Sequence, residues 1–429
     1  MGALDIAVTG PAIPAIKESF GITVRDTSWI FNIYLIAHLV AVPFMAKLSD
    51  TYGRRNIYII DVALFAIGSL IIVLSGNFEV FLLGRAIQGF GAGGIFPVAS
   101  AVIGDVLPKE RQGSALGLIG AVFGAAFILG PIIGGILLLF NWHLIFAINI
   151  PIAFVIIYFS FKLLPTVVVV KKSKFDYLGL VLLSVILLSL SYTFNTLDFK
   201  NAVTSLTQNY NFILIIIAVI LIPILVLIEK KADNPIIQPK LFTSKELIYT
   251  YSIAFGAGFV ESCAMYFPLF SKYNFGLTDS SASFMLIPMV LSMLIGAPLA
   301  GKLIDKKGAR LALGFGSILL TTGLLTFIAF GSSYFGFYAG GILIGIGLAS
   351  LLGAPLRYII NSECDITYRA SGQGIVTIST SSGHILSTAI LAALLNGSDF
   401  SVANFQISYS VLMIAAICIF ILTLMLKKK

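Results

Sequence analysis

The chain has 429 residues, of which 58% are hydrophobic and 11% charged, with a formal net charge of +8. A soluble domain carries roughly 25% charged residues, so this composition cannot furnish a water-facing exterior, and disordered chains lack apolar residues. Lipid must therefore solvate most of the surface, and continuous apolar runs of about 18 to 25 residues call for helices rather than barrel strands.

In chain order the runs predict spans near 1–16, 28–45, 56–74, 78–102, 114–139, 143–164 and 176–194, then 210–228, 247–270, 281–299, 311–330, 334–355, 371–395 and 405–426. That is an all-α polytopic membrane protein with fourteen transmembrane helices. The first span reaches Lys17 after about 15 helical residues, or ~22 Å of a ~30 Å hydrocarbon core. We therefore expect further residues upstream of Met1. The loops alternate in charge, and 22 of the 27 basic residues fall on one side. The positive-inside rule puts that side, and both termini, in the cytoplasm of a cell-membrane protein. The basic balance thus reads as topology rather than a nucleic-acid patch. Cys263, Cys364 and Cys418 have neither metal nor redox spacing and cannot make an even disulfide framework.

Residues 46–55 read AKLSDTYGRR and residues 301–310 read GKLIDKKGAR. An ordinary charged loop would account for one copy, but two in equivalent places form an internal repeat. Gly53 and Gly308 suit tight turns, while Asp50 and Asp305 can cap a helix or pair with a cation at a packed interface. Paired halves of this kind are a signature of secondary transporters.

These loops resemble the most specific motif of the major facilitator superfamily, with Ala46 in place of its usual first Gly. Eight spans separate the two copies, which is similar to the fourteen-span drug:proton antiporter branch. Arg85 to Gly94, RAIQGFGAGG, resemble the fourth-helix pattern. Gly130, Pro131, Gly134 and Gly135, with Gly117 upstream, resemble the fifth-helix antiporter signature, with Ala126 where a Gly is usual. Leu4, Asp5, Ala12 and Pro14 resemble the first-helix motif, although Ala7 and Gly10 depart from it. Trp142, Ile145, Phe146, Ile148, Asn149 and Pro151 fit the start of the sixth helix. The resemblance implies a six-helix bundle over 1–164, two extra helices with flanking loops over 165–246, and a second bundle over 247–429. It further implies that Asp50, Gly53, Arg54, Arg55, Asp105, Gly301, Asp305, Gly308 and Arg310 serve the conformational change, with Asp105 as the partner of Arg54.

Ionisable residues within spans are costly and so mark function. Arg85 lies about 10 Å deep by helix rise and must face a carboxylate, backbone or water. Asp5 lies near the midplane, where a carboxylate can take and release a proton. Glu261, mid-span in the other half, could bind a proton or attract a cationic substrate. His38 and His384 read as packing histidines before proton relays, and Asp61 as a residue that snorkels or pairs with a nearby base.

The expected function is proton-coupled efflux of small amphipathic molecules by alternating access. Its partners are the substrate, protons and the bilayer, and the protein acts as a monomer without cofactor or metal. A proton symporter or facilitator for a metabolite shares the fold, though GPIIGG at 130–135 weighs against it. A membrane enzyme or sensor is more distant, because the chain has no D-x-x-D pair and no appended soluble domain. No G-x-x-x-x-G-K-[ST] phosphate loop is present to supply energy from ATP.

Overall fold

The computed structural model describes residues 1–22, 24–27, 29–164, 176–196, 204, 206, 210–230, 232, 235, 238–277, 279–395 and 402–427. Among these residues there is no strand. The first half runs α1 (Gly2–Phe20), α2 (Trp29–Tyr52), α3 (Arg54–Val73), α4 (Phe78–Val106), α5 (Lys109–Leu138) and, after the short helix His143–Ala147, α6 (Asn149–Leu163). Two helices follow, α7 (Tyr177–Thr196) and α8 (Asn211–Glu229). The second half comprises α9 (Lys245–Glu261), α10 (Cys263–Phe275), α11 (Ile287–Lys307), α12 (Ala309–Phe330), α13 (Tyr334–Leu352), α14 (Ala354–Glu363), α15 (Arg369–Leu395) and α16 (Val402–Met425).

Ten segments among the described residues are long and apolar enough to cross a membrane. Helices α1, α5, α7 and α15 lie over the other four predicted spans. Four predicted spans prove to be interrupted: 143–164 at Ile148, 281–299 between the short helix Asp279–Phe284 and α11, and two more. Ser262 interrupts the span at 247–270, and Gly353 interrupts the one that begins at Tyr334, which runs on to Glu363.

The halves repeat each other locally. Gly53 joins α2 to α3 at φ +97°, and Gly308 joins α11 to α12 at φ +86°, a region that side chains disfavour. Asn77 caps α4 by accepting from the Val80 amide at 2.8 Å, and Ser333 caps α13 by accepting from that of Gly336 at 3.1 Å.

Each half has its own core. Phe20, Phe78, Phe81, Trp142 and Phe146 gather their rings in the first, and Phe267, Phe270, Phe327, Phe337 and Tyr409 in the second. Outside the cores the surface is greasy, as lipid contact requires. Ile60, Ile67 and Leu74, seven residues apart along α3 and its end, are all exposed. The extra pair packs on itself through Leu183, Ile186, Ala218 and Leu225, and α7 touches both α2 and α15.

Candidate functional site

Among the described residues, three gatherings of charge bear on the site. The first lies wholly within the first half, where α1, α2, α3, α4 and α6 meet. Arg85 and Asp5 are both fully buried and form an ion pair, with Nη1 donating to Oδ2 at 2.6 Å. The guanidinium also donates to the Gln88 side chain at 2.6 Å and to the Ile30 carbonyl at 3.0 Å, and it lies 4.4 Å over the Tyr34 ring. Asp5 accepts two further bonds, from Gln88 at 2.9 Å and Asn149 at 3.2 Å, and Gln88 also donates to Ser69. A buried ion pair persists only when its remaining lone pairs and protons are met in this way. Three donors thus converge on Asp5, two on Oδ1 and one on Oδ2.

The second place lies between α9 and α15. Glu261 is the last residue of α9, and the break that follows is held by Ser262, whose hydroxyl donates to the Phe259 carbonyl and meets that of Ser387 at 2.6 Å. His384 Nδ1 stands 3.8 Å from the Glu261 carboxylate, beyond hydrogen-bond reach. Their side chains are 39% and 38% exposed, although both lie near the middle of their spans. A carboxylate facing lipid at that depth is costly, so the exposure reads as a watery space between helices. Tyr266 extends the polar strip by donating to the Thr388 carbonyl at 3.0 Å.

The third place is a clamp between the halves at the end that carries the basic repeated loops. Asp50 accepts from the Ala370 and Ser371 amides at 3.1 and 2.8 Å, and from the Ser371 hydroxyl at 2.5 Å. It thereby caps the N-terminus of α15, where helix dipole and unpaired amides favour an anion. Asp50 also pairs with Arg54, which donates to Asp105 at 2.9 Å and to the Ile366 carbonyl at 2.8 Å. Arg369 closes the ring on Asp105 at 2.8 Å. The second copy mirrors this across the seam, because Asp305 accepts from the Gly113 and Ser114 amides of α5 at 2.9 Å each. A methyl at Gly301 would come within 2.5 Å of the Gly113 carbonyl, and one at Gly117 within 2.7 Å of that of Ala297. Ala46, where the loop pattern departs from Gly, is packed against Ala101 and Ala370.

The remaining residues singled out in the sequence fall around these places. Arg55 stacks 4.1 Å over Phe161, and Arg310 donates to the Leu424 carbonyl at 2.6 Å within its own half. Gly130 and Gly134 bring α5 against Ala7 and Val8 of α1, whereas Gly135 faces open space. The side chain of Pro131 lies outside the described residues. His38 is stacked on Tyr34. Asp61 is fully buried and has no hydrogen-bond partner on either oxygen, so it neither snorkels nor pairs. All three cysteines are free.

Sequence reasoning did not find Ser371, Arg369 or Ile366, the second-half side of the clamp. Nor did it find Arg357, whose guanidinium lies 3.8 Å over Phe96 of the other half and bonds Gln373 and Thr377. Arg357 and Arg369 count only as topology charges in a hydropathy reading. Gln88 and Asn149 stand inside the quoted motifs, but nothing there says that they point at Asp5.

The Major Facilitator Superfamily model matches residues 1–388 and 250–429, which together cover the chain. The chain belongs to the Major Facilitator Superfamily. Relatives within it include the uncharacterized transporter YfiU of Bacillus subtilis, 33% identical over 91% of this chain and 77% of that protein. Multidrug resistance protein 3 of the same organism is 30% identical over 70% of this chain and 58% of its own length. The riboflavin transporter RibZ of Clostridioides difficile is 29% identical over 72% and 66%. The human organic anion transporter MFSD10 shares the fold, with a TM-score of 0.73 at 16% identity over 98% of this chain and 96% of that one. This major facilitator protein is therefore a membrane-embedded transporter and not an enzyme.

Proposed function

We propose that the chain exports small amphipathic, drug-like molecules in exchange for inward protons, by alternating access between the halves 1–164 and 247–429. On this reading 165–246 supplies an added helix pair, and all fourteen long helices cross the cell membrane. The basic loops and both termini face the cytoplasm, and the protein works as a monomer. The observation that carries alternating access is the clamp. Asp50 of the first half caps α15 of the second, Asp305 of the second half accepts from α5 of the first, and such contacts must be made and broken as the halves rock. Efflux is supported by the relative named as a multidrug resistance protein and by the fifth-helix glycines packed on α1.

Three residues divide the coupling. Asp5 is the main proton carrier, and a proton bound there would weaken its hold on Arg85. Glu261 is the secondary one, already facing water and placed to attract a cationic substrate. The basic-loop residues, Asp105 and the glycines of α5 hold the cytoplasmic side shut. Uptake of a metabolite is the competing reading, favoured by the relative named as a riboflavin transporter. Proteoliposomes loaded with ethidium or riboflavin, with and without a pH gradient, test both. The proposal expects ethidium movement driven by the gradient and abolished by Asp5→Asn, with Glu261→Gln harming cationic cargo more than neutral cargo. Riboflavin uptake with protons, and no ethidium movement, would replace the exporter with the competing reading.

A further inference from the structure

Asp61 stands apart from all three charged places. It is the eighth residue of α3, about 10 Å along the helix from the basic end. Its carboxyl group is fully buried against Gly94 of α4, where even an added methyl would overlap it, and neither oxygen has a partner.

The charged and titratable groups around it are committed elsewhere. On α4, Arg85 is held by Asp5, Asp105 by Arg54 and Arg369, and Glu79 lies in the first turn at the far end. On α2, Asp50 is bound to Arg54 and Ser371, Lys47 is buried near the foot of the helix, and Tyr34 and His38 stack on each other. On α6, Lys162 donates to Tyr158, and on the short helix before it His143 meets Asn141. On α3 itself Arg54 is in the clamp, Arg55 stacks on Phe161, and Tyr58 makes no bond to Asp61. Among the described residues, no cation reaches this carboxylate.

A bare carboxylate in such surroundings carries a large desolvation cost with nothing to offset it, and the usual escape is to bind a proton. We propose that Asp61 is a proton-binding site of the transport cycle, occupied while the basic end is clamped shut and emptied when that end opens. The coupling follows from position. Asp61 lies on the helix that begins at Arg54, the hub of the clamp, so opening the clamp releases the foot of α3 and admits water beside α4. A proton also needs no cavity, which suits a site with no free space. The inference shares alternating access with the proposed function but does not depend on its cargo or on Asp5.

The sign can be stated. A site that holds its proton only in the closed form favours closure at low pH, and closure is lost as pH rises past the site's affinity in that form. Two measurements on purified protein test this without any substrate. Infrared spectra near neutral pH should contain a protonated-carboxyl stretch that Asp61→Asn removes. Spin labels at Tyr52→Cys and Lys306→Cys, with the native cysteines replaced by alanine, should report opening of the basic end as pH rises. Asp61→Asn should stay closed over that range, while Glu79→Gln, at the far end of α4, should open like the parent. An unchanged infrared band, or an opening curve in Asp61→Asn equal to that of the parent, would overturn the proposal. Asp61→Ala repeats both measurements if the Asn variant fails to insert.

Discussion

The two halves share one fold yet treat their intramembrane carboxylates in opposite ways. Asp5 is enclosed by a guanidinium and two amides, with no exposure, and its helix is unbroken from Gly2 to Phe20. Glu261 sits where its span breaks, more than a third exposed and 3.8 Å from an imidazole. The first arrangement is rigid and saturated, and the second is open and loosely held. Structural repetition therefore fixes where a polar residue can stand, and the local donors decide how firmly it is held there.

The sharpest way to break that contrast is to neutralise each acid in turn. Asp5→Asn leaves Arg85 buried without its counter-charge and should cost about 3–5 kcal/mol, read as a lower unfolding midpoint in detergent. Glu261→Gln should cost less than about 1 kcal/mol, as for an exposed ion pair. Equal losses would mean that the second pair is as tightly built as the first.

The clamp extends the comparison to the repeated loops. Asp50 holds both the cap of α15 and Arg54, whereas Asp305 holds only the start of α5. Hydrogen bonds to a charged group contribute about 1.5–3 kcal/mol each. Asp50→Asn should therefore shift the closed state by at least about tenfold, and Asp305→Asn by less, since about 1.4 kcal/mol is a factor of ten. Distances between spin labels across the basic end would measure both shifts.

Much of this was legible before the structure. The turns at Gly53 and Gly308 follow from a motif whose residues stand close together in sequence, whereas the Arg54–Asp105 contact was implied only by the family resemblance. The second-half side of the clamp was not legible, because Ser371 and Ala370 contribute backbone amides that any residue has. The break at Ser262 carries no proline or glycine to announce it. Asp61 was misjudged because burial beside Gly94 depends on how α3 rotates, which apolar runs do not report.

A smaller effect is expected at Gly301. Its approach to the Gly113 carbonyl leaves no space for a side chain, so Gly301→Ala should weaken closure by about 1–3 kcal/mol through overpacking. The matching label distance should lengthen while the core of each half stays intact. A variant that closed normally would show that the second seam has slack that the first lacks.

The smallest effect concerns Cys364, in the turn between α14 and α15. Burial, with Asp50 nearby, pushes its thiol up to about 12, so at neutral pH it is protonated and slow to alkylate. Asp50→Asn should speed maleimide labelling of Cys364 several-fold over the parent protein labelled in parallel.

The position of α7 has a consequence for traffic through the bilayer. Because it rests on α2 and α15 together, with Trp29 and Tyr192 ring centres 6.1 Å apart, it covers one flank of the seam between the halves. Among the described residues the opposite flank, between α5 and α11, has no such cover and is closed near the basic end by glycine against backbone. A molecule already dissolved in the lipid therefore meets two unlike doors, one shuttered by an extra helix and one bare. Lateral entry, if this transporter draws cargo from the leaflet, is confined to the side of α5 and α11.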